Sequence, residues 1–155
     1  VLVSRGGEEM SYSLSPEIVD DRYLIGVMVG YTYDFPITID LQLGNVGGPS
    51  GGMIFALGVY DSLTEGSILD DSHIAGTGTI SSTGQVGPIG GIDLKMLAAA
   101  RDGVDLFLAP AANCAEIISS QPEDLLVVPV ADFTEALSVI EMYKDGNAEF
   151  PKCEN

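Results

Sequence analysis

Two residues of this chain have the type and setting for nucleophilic chemistry. Ser50 lies in the stretch Gly44-Asn45-Val46-Gly47-Gly48-Pro49-Ser50-Gly51-Gly52, and Lys95 follows 45 positions later behind a second glycine-rich bend, Gly87-Pro88-Ile89-Gly90-Gly91. A serine hydroxyl is a weak nucleophile until a base takes its proton, and a neutral lysine amine can be that base. An amine in that role has to titrate near about 7 to 8 instead of about 10.4, and burial among apolar groups moves it that way. Ile92, Leu94, Met96 and Leu97 flank Lys95, and from Tyr23 to Tyr143 the only other permanent cation is Arg101. A carboxylate beside the amine would hold it charged, so the chemistry requires that no Asp or Glu pairs with it. Each residue also has a plain structural reading. Serine is a common helix N-cap, and lysine can lay its stem along apolar neighbours with the amine in water.

The elements that must position the pair follow from the flanking residues. Five glycines and a proline let the chain around Ser50 bend tightly and approach other groups closely. Met53 to Tyr60 is too apolar for a surface loop and, with Asp61 to Leu63, predicts a helix of about three turns. Ser50 then stands where unpaired N–H groups and the positive end of the helix dipole face outward. An oxyanion, a phosphate or a carboxylate would be stabilised there.

The motifs G-G-P-S-G-G with F-A-L-G-V-Y-D, A-G-T-G-T-I, G-Q-V-G-P-I-G-G-I-D-L-K and A-A-A-R-D-G run in order between about Pro36 and Val130. Together they resemble the proteolytic domain of the Lon-type serine peptidases, and most of all the exported, ATPase-free branch in which a PDZ domain precedes the peptidase domain. The resemblance implies that Ser50 is the nucleophile, that Lys95 is its general base, and that Thr77 lies near the lysine and helps to orient it. Many members have alanine after the serine, where this chain has Gly51; the backbone N–H expected at the oxyanion site is kept. Members fused to an ATPase often carry an acidic residue three positions before the serine and histidines shortly upstream. Here Gly47 takes the first place and no histidine precedes Ser50. The expected activity is therefore ATP-independent endopeptidase cleavage by serine and lysine alone, with no cofactor. A domain that keeps this fold only to bind peptides or to assemble is the alternative.

The rest of the chain bounds these readings. Its 155 residues carry 23 acidic against 6 basic side chains, a net charge of −17. Such a surface repels nucleic-acid phosphates and anionic lipid; the resemblance implies peptides or unfolded protein as substrates. No apolar run reaches the 18 residues of a membrane span. The chain begins at Val1 without methionine and is read as a piece of a longer protein. Residues 1–20 are expected to be a lead-in segment or the tail of a preceding PDZ-like domain, with the peptidase domain over 21–155, and the resemblance to a family with ring-forming members implies self-association into a homo-oligomer.

The spacing predicts a buried strand from Tyr23 to Thr32 and a half-wet strand from Pro36 to Leu43, running into the serine loop. Strands are expected at His73–Ser81 and Gln85–Val86, joined through Thr83-Gly84, and again at Val104–Ala109 and Leu125–Val130. Helices are expected at Gly91–Arg101, Ala111–Ser119 and Asp132–Lys144, the last opened by an aspartate cap. The alternation of strand and helix predicts a two-layer α/β or α+β domain with a mixed sheet.

Other motifs are weaker. Asp70-Asp71-Ser72-His73 contains metal-ligand types, but adjacent carboxylates in a turn are ordinarily solvated, and no metal is expected. Gly48-x-Ser50-x-Gly52 fits the nucleophile elbow of α/β-hydrolases, yet His73, the only histidine, follows too soon for that fold's late catalytic histidine. No G-K-[ST] occurs, so no nucleotide loop is expected. Cys114 and Cys153 could be two buried free thiols of a cytosolic protein, but Cys153 lies in the polar tail F-P-K-C-E-N, and the two are expected to form a disulfide tying that tail to the Ala111–Ser119 helix. Such a bridge implies an oxidising, extracytoplasmic site, secreted or membrane-anchored.

Overall fold

In the computed structural model, the described residues are 1–28, 30, 34, 36–40, 48–68, 72–147 and 149–154. The chain forms two units, Val1–Thr38 and Ile39–Asn155. The first contains two antiparallel hairpins, β1 (Leu2–Arg5) with β2 (Glu8–Ser11) and β3 (Glu17–Val19) with β4 (Arg22–Leu24). Asp20 and Asp21 turn the second hairpin with φ of 49° and 59°, the paired left-handed geometry that suits the twist of a two-residue turn. The buried strand expected over Tyr23–Thr32 is corrected. Only Tyr23 and Leu24 of that run lie in a strand, residues from Tyr23 to Met28 are exposed, and positions 29, 31 and 32 fall outside the described residues. The turn at Asp20-Asp21 uses the start of the run as a return strand, and Gly26 at φ 65° then breaks it. Pro36 to Asp40 is likewise not strand, and residues 41–43 are not described.

The second unit is α/β. Its sheet has three parallel strands in the order β5 (Ile74–Gly76), β8 (Leu106–Pro110), β9 (Leu126–Val130). A short antiparallel pair, β6 (Thr79–Ile80) with β7 (Val86–Gly87), gives the mixture of pairings expected. The run His73–Ser81 is thus two strands, interrupted at Thr77-Gly78. Among the described residues, four α-helices accompany these strands: α1 (Gly52–Leu63), α2 (Ile92–Arg101), α3 (Cys114–Ser120) and α4 (Phe133–Lys144).

Every residue of β8 is buried, so this strand needs cover on both faces. Leu106 and Leu108, with Val128 and Val130 of β9, pack with Met53 and Leu57 of α1 and Ala136, Val139 and Ile140 of α4. Phe107, Ala109 and Val127 pack the other way, with Ile92, Met96 and Ala99 of α2 and Ile117 of α3. The expected α/β class, with parallel and antiparallel pairings in one unit, is what the structure has.

One edge of this sheet gathers the chain's bends. Beyond the C-terminal end of β9, the Ala131 carbonyl accepts from the Val86 N–H at 2.8 Å, and the Phe133 N–H donates to the Gly84 carbonyl at 2.8 Å. The β6–β7 hairpin is thereby held at the carboxyl ends of the parallel strands, where α/β sheets characteristically place ligands.

Candidate active site

Ser50 is the middle residue of a 3-10 turn, Pro49–Gly51, that leads directly into α1. Gly48 at φ 85° turns the chain into it, and Pro49 supplies the fixed φ that suits a first helical position. The Ser50 carbonyl accepts two hydrogen bonds, from the Gly78 N–H at 2.8 Å and from the Thr77 hydroxyl at 3.0 Å. The Gly78 carbonyl in turn accepts from the Met53 N–H at 3.1 Å. Thr77 is 2% exposed, and its own N–H donates to the Leu108 carbonyl at 3.0 Å. The segment leaving β5 is thus strapped both to the sheet and to the serine turn. Gly52 sits close to the next strand: a Cβ there would stand 3.1 Å from Ile80 Cγ2 and 3.2 Å from its backbone nitrogen, a tight fit.

Lys95 lies on the first turn of α2, where its N–H donates to the Gly91 carbonyl at 3.3 Å. Gly91 caps the helix in the left-handed conformation, φ 68° and ψ 38°. Ile92, Met96 and Ala99 form the buried stripe of α2, and half-buried Lys95 sits at its margin. The loop before α2 follows β7, whose Val86 is bonded to Ala131, and its Ile89 is bonded to Asn113, just beyond β8. Both α1 and α2 therefore begin at the carboxyl edge of the sheet, which brings Ser50 and Lys95 to the same edge.

Among the described residues, neither the Ser50 hydroxyl nor the Lys95 amine makes a hydrogen bond, and the ion pair present joins Arg101 to Asp102. Thr77 spends its proton on the Ser50 carbonyl, and its oxygen lone pairs stay available to an amine. Gly51 closes the turn, with the Phe55 ring against it: a Cβ on Gly51 would stand 2.7 Å from Phe55 Cε2.

His73 is at the opposite end of β5. Its Nδ1 lies 3.1 Å from the Gly103 carbonyl, an acceptor, so this nitrogen carries the proton. Its backbone N–H donates to the Asp105 carboxylate at 3.1 Å. The strand separates it from the Ser50 turn by four residues, about 13 Å, and no triad with Ser50 forms through it. Asp70 and Asp71, the other residues of the metal-type cluster, lie outside the described residues, as do Gly44 to Gly47 of the serine loop.

Asn113 was not legible as a site residue. In A-P-A-A-N-C-A it has the look of an ordinary cap, and its one signal is a lone amide in an apolar stretch. It is 3% exposed, accepts from the Ile89 N–H at 3.0 Å and donates to the Ile89 carbonyl at 3.0 Å. Next to it, Cys114 is bonded to Cys153, which packs on the α2 and α3 side of the core. The expected bridge between tail and helix is therefore present.

Residues 34–141 match the family model of the Lon protease (S16) C-terminal proteolytic domain. The chain is 36% identical over 111 residues to Lon protease 1 of Hydrogenovibrio crunogenus, covering 70% of this chain and 13% of that protein. It is 33% identical over 108 residues to Lon protease 2 of Bacillus subtilis, covering 69% of this chain and 19% of that protein. The chain thus spans under a fifth of the length of these relatives. They overturn the extracytoplasmic assignment, because Lon proteases are cytoplasmic enzymes. The disulfide alone does not restore it, since bridges also occur in redox-sensing cytosolic proteins. With the family model covering more than half of its length and the serine turn and α2 inside the match, the chain belongs to the Lon protease (S16) C-terminal proteolytic domains.

Proposed function

We propose that this domain is a serine endopeptidase in which Ser50 attacks the scissile carbonyl and Lys95 takes the serine proton, then returns one to the leaving amine. Water hydrolyses the acyl-enzyme with the same amine as base. Backbone N–H groups at Ser50 and Gly51 hold the tetrahedral oxyanion, supported by the dipole of α1. The observation that carries this reading is the strap of Thr77 and Gly78 on the Ser50 carbonyl, at the sheet edge where α2 also begins. A serine–lysine hydrogen bond that is open without substrate and tightens in the Michaelis complex is ordinary for such catalysts.

Peptide-bond cleavage by this chain needs no nucleotide in the proposal, as its sequence carries no phosphate loop. Substrates are unfolded proteins or peptides, the assembly is a homo-oligomer, and a PDZ-like domain precedes the peptidase domain.

A fluorescent fluorophosphonate tests the reading. Wild type should be labelled, while Ser50→Ala and Lys95→Ala should slow labelling by about a thousandfold or more. Labelling that persists in Lys95→Ala would remove the dyad. A folded wild type that is never labelled would make this a peptide-binding or assembly domain that has kept the fold.

A further inference from the structure

The last two residues of the loop that delivers Lys95 are open. Side chains added at Gly90 or Gly91 would meet nothing within 4 Å, so neither glycine is walled in, and both have wide backbone freedom. Besides the packing of Ile89 on the core, the loop is held by one side chain from a different element. Asn113, at the start of α3, pairs its amide with both main-chain groups of Ile89, N–H to Oδ1 at 3.0 Å and Nδ2 to carbonyl at 3.0 Å. A second Nδ2 bond, to Glu116 Oε1 at 3.0 Å, sets which way the amide faces. The Cys114–Cys153 bridge anchors the neighbouring residue, and the Ile89 side chain packs on the same part of the core.

We propose that Asn113 is a positioning residue for Lys95: it acts as a one-residue strand partner for Ile89, fixing where α2 begins and hence where the amine points. This inference rests on the Ser50/Lys95 reading. Loss of the clamp frees two glycines just before the first turn of α2, and displacement of a catalytic group by about 1 Å can cost about a hundredfold in rate. The core stripe of Ile92, Met96 and Ala99 still seats the helix, so the effect should fall on rate more than on folding.

The test is fluorophosphonate labelling of the intact chain, recording the titre of reactive sites and the rate per site. Asn113→Leu should keep a full titre while its rate per site falls about 10- to 100-fold. Asn113→Asp keeps the shape and the acceptor for the Ile89 N–H, but sets a carboxylate against the Ile89 carbonyl and Glu116. It should also be slow at full titre, and adding Glu116→Gln, whose amide can donate to the new carboxylate, should recover part of the rate. A wild-type rate per site in either single variant, with Lys95→Ala still slow, would overturn the role of Asn113 and leave the dyad standing. A drop in titre at unchanged rate per site would reduce Asn113 to a folding role and also overturn it. If Lys95→Ala reacts as wild type does, the dyad fails and this inference with it.

Discussion

The hydroxyl of Thr77, 2% exposed, donates to the carbonyl oxygen of Ser50 at 3.0 Å. That carbonyl belongs to the same peptide unit as the Gly51 N–H. A trans peptide is planar, with its C=O and N–H pointing in opposite directions, so two bonds on the Ser50 oxygen fix the direction of the Gly51 N–H as well. The buried threonine thereby orients the expected oxyanion donor from behind.

Thr77→Val should show this. It removes the hydroxyl but leaves the Gly78 N–H on the same carbonyl, so the acceptor is not stranded. A stability loss of about 1 to 2 kcal/mol in urea unfolding is expected, with phosphonate labelling slowed about tenfold or more. Thr77→Ser, which keeps the donor, should stay within a few-fold of wild type.

Gly51→Ala tests how much room the serine turn has. The added methyl would meet the edge of the Phe55 ring at 2.7 Å, and a ring on a half-exposed side chain can turn aside. The expected cost is about 1 kcal/mol. Combining it with Phe55→Leu should recover most of that, measured as a coupling energy in a double-mutant cycle.

Gly76→Ala should be far worse, because its methyl would meet the Leu108 carbonyl oxygen at 2.8 Å as well as Ile54 Cδ1 at 2.8 Å. Backbone in the ladder between β5 and β8 cannot swing away as a ring can. About 3 kcal/mol or more of destabilisation is expected, and Thr77, the next residue, should lose its register with Ser50. Thermal unfolding that places this variant level with Gly51→Ala would contradict the geometry.

What the sequence disclosed divides along physical lines. Helices α2 and α4 were legible from their starts, behind the Gly91 bend in one case and behind Asp132 in the other; the Asp132 carboxylate does accept from the Glu135 N–H at 2.9 Å. Strands β8 and β9 were legible as continuous apolar runs. Tyr23 to Met28 failed because an apolar, partly β-branched run cannot reveal that the turn before it folds it into an exposed hairpin. The break at Thr77-Gly78 was hidden because period and composition stay strand-like while the hydrogen bonds change partners, from β8 to the serine turn. Ser50 and Lys95 stood out by type. Asn113 did not, since its role is a contact with Ile89, 24 positions earlier, that local pattern cannot carry.

The disulfide offers a last separation of stability from rate. Cys114 and Cys153 are 39 residues apart, and closing such a loop restricts the unfolded chain by about 3 to 4 kcal/mol on the chain-entropy estimate. Reduction should lower the urea midpoint accordingly, and Cys153→Ser should reproduce it without reductant. The bridge also holds the start of α3, one residue from the Asn113 clamp. If the disulfide acts on the unfolded chain alone, the reduced protein, still folded in dilute buffer, should be labelled by the phosphonate at the oxidised rate. If it also braces Asn113, labelling should slow in the reduced protein, and Asn113→Leu should abolish the difference between the two redox forms. The same rate in both forms would confine the bridge to stability and leave the positioning of Ile89 to the asparagine amide.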